Sequence, residues 1–222
     1  MDRRKVLDAA LGVADRDGFK GITIRALATE LGMPPMSLYT HFANKEQLYD
    51  LMLEEVVLRL LRPSGKPTWQ EELETGCRHA RSILLEHPNW LPLLTRVTVP
   101  SLTLKLWDRL LKLMSDDGFS AGAATLAVSS AMSFTLGLVL VERMMAAQGD
   151  IPVPVQQLRI VKEMLPRLPR GMYPRLTRAA STIDRWSFET IFDVGLRALL
   201  AGIELHGPGP RRAATGWPRK TA

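Results

Sequence analysis

The sequence predicts an all-α fold in two parts, a small N-terminal helix-turn-helix domain followed by a larger helical domain. Three observations carry this expectation. Apolar residues recur at helical spacing along most of the chain, and no run alternates apolar and polar residues with enough β-branched content for a sheet. Residues 22–45, ITIRALATELGMPPMSLYTHFANK, read as two short helices that meet at a glycine and lead into a third. With 222 residues, 46% of them hydrophobic, the chain has ample material for a core.

Asp2 is placed to cap a first helix whose Val6, Leu7, Ala10, Leu11 and Ala14 share a face, closed by Gly18 and Phe19. Thr23 caps the next helix, with Ile22 and Leu27 as a hydrophobic staple across its start and Ala26, Leu27 and Leu31 facing inward. Gly32 takes the left-handed position that ends such a helix, and Met33 packs back against it. Pro35 then opens a second helix of about two turns, because its missing N–H is no loss at a first position. At 100° per residue, Leu38 and Phe42 lie on the inner side and Met36 and Thr40 on the outer, flanked by Ser37 and Tyr39. Asn44 and Gln47 make a capping box for a helix from Lys45 to about Leu61, and Pro63, Gly65 and Pro67 form the first break.

Thr68 to Glu71 is a second capping box, opening a helix that stops at Glu86 before His87-Pro88. Residues 89–98 form a short irregular or helical piece. Pro100 begins a helix carrying Leu104, Trp107, Leu111 and Met114 before Gly118. The longest helix runs from Ser120 to about Gln148 and holds no charge between Ala121 and Val141. Such a run is long enough to cross a bilayer. Thr125, Ser129, Ser130, Ser133 and Thr135 dilute its hydropathy, however, and no second span accompanies it. A helix apolar nearly all round is otherwise buried all round, here by its own core and a partner subunit, so no membrane is expected. Pro152, Pro154, Pro166, Pro169 and Pro174 allow at most one helix, about Val155 to Leu165, and residues 175–182 are expected to be loop. A last helix, Asp184 to His206, buries Phe188, Ile191, Phe192, Leu196, Leu199, Leu200 and Ile203, and GPGPRRAATGWPRKTA has the composition of a disordered basic tail.

The net charge of +6 does not by itself mark a binding site. Residues 1–60 hold eight Lys/Arg against nine Asp/Glu, while residues 206–222 hold four against none. A single cysteine, Cys77, excludes an internal disulfide framework, and without a signal-peptide pattern the expected compartment is the cytoplasm. Enzymatic chemistry finds no constellation. Cys77 and His79 diverge on one helix, and His41, His79, His87 and His206 are scattered without a metal spacing.

Residues 23–28 (TIRALA), 37–42 (SLYTHF) and 44–48 (NKEQL) resemble the DNA-binding domain of the tetracycline-repressor (TetR) family. Trp69-Gln70-Glu71, Gly118-Phe119-Ser120, Phe134 to Gly137 and Gly195 to Glu204 resemble the regulatory domain of its tetracycline-responsive members. The resemblance implies about ten helices, a DNA-binding domain at 1–46, an effector-binding and dimerisation domain at 47–206 and a tail at 207–222. It also implies a homodimer built from the long eighth helix and the last one as a four-helix bundle. A transcriptional repressor bound to a palindromic operator on double-stranded DNA, and released by a small-molecule effector, is the function it implies. A dimeric helical scaffold or protein-binding module without specific DNA binding is the competing reading, favoured by the weak charge of the first domain.

By resemblance and by chemistry, Thr23, Tyr39, His41 and Lys45 are candidates for phosphate contact, and Arg25 for bidentate donation to a guanine. Packing is the competing role for Tyr39, and a helix-end hydrogen bond for His41. Pro35, Met36, Ser37 and Thr40 offer only apolar or hydroxyl contacts, which suit thymine methyls. Alignment of the regulatory segments places Leu94 where the tetracycline-responsive relatives hold a metal with histidine. It places Leu61, Gly76, Leu110 and Val141 where they hold the drug with polar groups, and Ala80 in place of an aromatic. Magnesium needs oxygen ligands or groups that hold its waters, and these side chains supply none. No metal or other cofactor is therefore expected, and the effector is expected to be apolar. Trp90, Trp107, Met114 and Met132 are further wall candidates, for which plain core packing is the alternative.

Overall fold

In the computed structural model, helix α1 (Arg3–Asp17) starts where the Asp2 carboxylate accepts the backbone N–H of Arg4 at 3.3 Å, and it buries Val6, Leu7, Ala10, Leu11, Val13 and Ala14. The structure describes residues 2–60, 65, 68–94, 96, 101–146, 160–169, 171–182 and 187–207. No strand occurs among them. Helix α2 (Ile24–Leu31) is capped by the Thr23 hydroxyl, which accepts the Ala26 N–H at 3.1 Å, and the Ile22–Leu27 staple is fully buried. Gly32 closes α2 at φ 63° and ψ 35°. Its N–H bonds to Thr29 O at 3.2 Å and that of Met33 to Ala28 O at 3.0 Å, the paired bonds of a Schellman ending.

Helix α3 (Pro35–Leu38) is one turn, not the two expected. Beyond it the N–H groups of Tyr39, Thr40 and His41 reach back three residues rather than four, at 3.3, 3.4 and 2.9 Å. This tighter winding still seats both Leu38 and Phe42 in the core before the chain turns to the next cap. Helix α4 (Lys45–Leu60) begins there: Gln47 N–H donates to Asn44 Oδ1 at 2.9 Å, and the Gln47 side chain accepts from Ala43 N–H, one residue earlier than the usual reciprocal partner.

Helix α5 (Trp69–Glu86) opens at Thr68, whose hydroxyl accepts Glu71 N–H at 3.3 Å, and leads into a 3₁₀ turn, Pro88–Trp90, and α6 (Leu91–Leu94). Then come α7 (Ser101–Asp116), α8 (Ala121–Ala146), α9 (160–164) with a 3₁₀ turn at Leu165–Arg167, α10 (Pro174–Ala180) and α11 (Phe188–His206). The loop expected at 175–182 is largely α10, because Pro174 is its first residue rather than a break. The last helix begins after Ser187, which is extended and accepts Thr190 N–H at 3.1 Å, so the start at Asp184 is corrected to Phe188. Leu104 and Trp107 are exposed on α7, while Met114 is buried. The expected start of a helix at Val155, the continuation to Gln148, the break at 63–67 apart from Gly65, and the tail beyond 207 lie outside the described residues.

Two apolar cores share α5. One joins α1 to α4 with Ala80 and Leu84 of α5, Trp90, Leu93 and Val139. The other gathers Leu73 and Cys77 of α5, Leu110 and Met114 of α7, four small residues of α8, and Phe192, Leu196 and Leu200 of α11. Helix α8 is long and apolar enough to cross a membrane, with 33% of its most apolar window buried within the chain. Leu126, Leu140, Val141 and Met144 of α8 stay exposed, as do Val194 and Leu205 of α11.

Candidate DNA-reading surface and effector cleft

The outer side of the α3 segment is open. Met36 is 77% exposed, and Pro35, Tyr39 and Thr40 are also exposed, above the fully buried Leu38. Thr40 Oγ1 donates to Ser37 O at 2.8 Å, which turns its lone pairs outward as acceptors. Tyr39 tilts against Phe42 with 6.1 Å between ring centroids and 56° between planes, while the residue as a whole stays exposed. His41 and Ser37 are half-buried, and Thr23 is exposed with its oxygen serving the α2 cap. Lys45 is exposed at the first position of α4, with its ammonium 5.3 Å from the Tyr49 ring centroid. Arg25 is exposed on α2, where it borders an open recess with Thr29, Pro34 and Pro35. The structure thus brings Arg25 and the α3 residues to one side of the molecule around the α2–α3 turn. An ion pair from Arg16 to Glu30 at 3.0 Å ties α1 to α2 and raises the Arg16 pKa.

A second feature is a cleft of about 60 Å³ between α5, α7 and α8. Leu73, Gly76 and Cys77 come from α5, Leu106, Trp107 and Leu110 from α7, and Val128 and Met132 from α8, with Glu72 also on the wall. Glu72 pairs with Arg109 at 3.8 Å. Burial pushes the Cys77 thiol up from its ordinary pKa, against the smaller pull of its hydrogen bond with Thr135. Of the candidate wall residues, Gly76, Trp107, Leu110 and Met132 line the cleft, and Met114 is buried in the adjoining core. Ala80, Trp90 and Leu94 belong to the other core, Val141 is exposed, and Leu61 lies outside the described residues. Leu73, Cys77, Leu106 and Val128 were not among the candidates. Their spacing, Leu73 with Cys77 and Val128 with Met132 four apart, is the signal that marks them. Among the described residues no three His, Cys, Asp or Glu side chains converge as metal ligands would.

Around the cleft, α5 is tied to its neighbours by charge. Arg81, with its guanidinium nearly buried, pairs with Glu142 of α8 at 2.8 Å and with Glu189 of α11, and its Cζ stands 5.0 Å from the Phe192 ring centroid. Arg78 pairs with Asp193, raising its own pKa and holding the Asp193 carboxyl below the usual carboxylate range.

A helix-turn-helix with an open outer side, in front of a helical domain that encloses an apolar cleft, defines a DNA-binding regulator with a ligand-binding domain. Residues 6–52 match the family described as bacterial regulatory proteins, tetR family, and residues 62–206 match the tetracyclin repressor-like C-terminal domain. The chain belongs to the TetR family, whose members are transcriptional regulators rather than enzymes. It is 29% identical to the class D tetracycline repressor protein of Escherichia coli over 209 residues, covering 92% of this chain and 90% of that protein. A solved structure of a possible TetR family transcriptional regulator from Streptomyces coelicolor A3(2) superposes with a TM-score of 0.69 at 27% identity, covering 92% of this chain and 99% of that one. The Streptomyces coelicolor TetR family protein ActR, solved in complex with (S)-DNPA, does so with a TM-score of 0.70 at 25% identity, covering 92% and 98%.

Proposed function

We propose that this protein is a homodimeric transcriptional repressor that binds a palindromic operator through residues 1–46 and leaves it when a small apolar molecule enters the domain at 47–206. The observation that carries this reading is the open outer side of the α3 segment, with Met36 and Thr40 exposed above buried Leu38 and Phe42. Arg25 reads a guanine, Met36, Thr40, Pro35 and Ser37 meet thymine methyls, and Thr23, Tyr39, His41 and Lys45 hold phosphates. The apolar residues left exposed on α8 and α11 support pairing of these helices with their copies in a second subunit. Two reading surfaces then face DNA about 34 Å apart or at a multiple of that distance.

The apolar wall of the cleft supports an apolar effector, and ActR, a structural neighbour, was solved with a small molecule bound. Pockets that hold drug-sized ligands measure roughly 300–1,000 Å³, so a cleft of about 60 Å³ has to widen to admit one. Release from the operator follows if the effector binds the widened arrangement more tightly than the DNA-bound one. Sequencing of genomic fragments retained by the full chain tests the reading. Inverted repeats are expected, bound with an affinity that falls steeply between about 50 and 200 mM salt; fragments without a common sequence would overturn it. Mass spectrometry of small molecules that co-purify identifies the effector. Titration calorimetry with tetracycline and Mg²⁺ is expected to show no binding, and micromolar binding would overturn the apolar-effector reading.

A further inference from the structure

The junction of the two cores carries contacts that neither the reading surface nor the cleft uses. The 3₁₀ turn Pro88–Trp90 follows α5 after a single non-helical residue, His87 at φ −121° and ψ 63°, with His87 N–H bonded to Ile83 O at 2.8 Å and Trp90 N–H to His87 O at 3.0 Å. Two side chains of this region grip a single residue of α1. His87 Nδ1 lies 2.8 Å from the Asp15 carboxylate, and since an ionised carboxylate only accepts, the ring N–H is the donor. The Asn89 amide donates to the backbone carbonyl of the same Asp15 at 3.0 Å. That carbonyl is among the last four of α1, which have no N–H ahead of them in the helix. The His87 ring lies flat on Trp90, 3.9 Å between centroids and 3° between planes, and Trp90 is sealed in the first core.

We infer that His87 and Asn89 are positioning residues that carry movement of the cleft to the reading head through α1. The inference rests on the reading of this protein as an effector-released DNA-binding regulator. Helix α5 supplies Leu73, Gly76 and Cys77 to the cleft, and the residues that grip Asp15 are its cap, His87, and Asn89 two positions on. A ligand larger than the cleft displaces α5, and a residue held by both its side chain and its main chain follows that displacement. From Asp15 the path continues through the neighbouring Arg16, paired with Glu30 of α2, to the helix that precedes the reading segment.

Coupling between two sites is reciprocal, so DNA at the head must alter the cleft. Cys77 is the only cysteine in the chain and is fully buried on the cleft wall, so its reaction rate with fluorescein maleimide reports opening there. The experiment uses the full chain and the duplex selected from genomic fragments, without effector. Saturating duplex is expected to slow Cys77 modification by roughly fivefold or more, as couplings of ordinary size require. The double variant His87→Gln, Asn89→Ala is expected to bind the duplex yet show less than a twofold change. Asn89→Ala alone, which loses one of the two bonds, is expected to fall between and serves if the double variant does not fold. A merely structural role raises the rate with and without DNA and leaves the ratio intact; an intact ratio, or no DNA effect in the unaltered protein, overturns the inference. Failure of any duplex to be retained instead overturns the functional reading itself, and the inference with it.

Discussion

Replacing Gly32 and Gly12 by alanine, one at a time, makes the same chemical change twice in the same domain, and the structure predicts opposite signs. At Gly32 an added Cβ meets no atom within 4 Å, so collision plays no part. The cost is conformational: φ is 63°, and a residue with a Cβ in the left-handed region is disfavoured by about 1–2 kcal/mol. The two backbone bonds from Gly32 and Met33 hold the turn in that region. Gly12 lies in the exposed middle of α1, also with no atom within 4 Å of a new Cβ, and alanine there gains about 1 kcal/mol of helix propensity. The two variants should therefore differ by about 2–3 kcal/mol. Urea unfolding followed by circular dichroism reads the difference, at one fixed protein concentration because the stability of the proposed dimer depends on it. In a thermal scan each kcal/mol is about 2–4 °C for a chain of this size. Gly32→Ala should also weaken operator binding, since any relaxation of φ swings α3 against α2, whereas Gly12→Ala should leave it alone. Shifts of the same sign, or a loss at Gly32 beyond about 4 kcal/mol, which would require a collision the structure lacks, refute the reasoning.

Three further outcomes follow from named contacts. Arg25→Ala should relax preference among operator sequences by about 1–3 kcal/mol, while Lys45→Ala should weaken all sequences alike and reduce the salt slope by about one; equal effects of both on operator and random DNA in anisotropy titrations would contradict the assignment. Arg81→Ala should cost about 2–3 kcal/mol in urea unfolding, because its side chain is 10% exposed and Glu142 opposite is 20% exposed; Glu189→Gln should cost less than about 1 kcal/mol, since Glu189 is 61% exposed, and equal losses would sink that ordering. Arg78 holds the Asp193 carboxyl below its ordinary value, so the stability it contributes is present above the unfolded value of about 3.9 and is lost as pH falls through the lower folded value. The thermal midpoint of Asp193→Asn should thus trail the unaltered protein at neutral pH and converge with it in acid; a gap that widens in acid would reverse the sign.

Local chemistry was the legible part. The caps at Asp2, Thr23, Asn44 and Thr68 depend on a side chain and an N–H two or three residues away, so spacing alone located the starts of four helices. The same is true of Gly32 and of the inner pair Leu38 and Phe42. Pro174 was misread because a proline that starts a helix and one that breaks it look alike until the following residues are placed, and α3 proved shorter because i−3 and i−4 winding share one apolar pattern. The cleft was only half legible. Trp107 and Met132 mark its wall, but Leu73 and Val128 look like any core residue; Ala80 packs into the other core because α5 serves both, and Trp90 joins it there from the turn beyond α5. Pairs such as Asp15 with His87 or Arg81 with Glu189 join residues far apart in the chain, and no spacing rule reaches them.

Hydroxyl-radical footprinting of the full chain on its selected duplex tests the central claim most directly. Two equal patches of protection are expected, centred one helical turn of about 10–10.5 base pairs, or a whole multiple, apart and symmetric about the dyad of an inverted repeat. They should fade together when Met36 and Thr40 are both replaced by glutamate. A single patch, or two patches indifferent to that double substitution, would contradict the account.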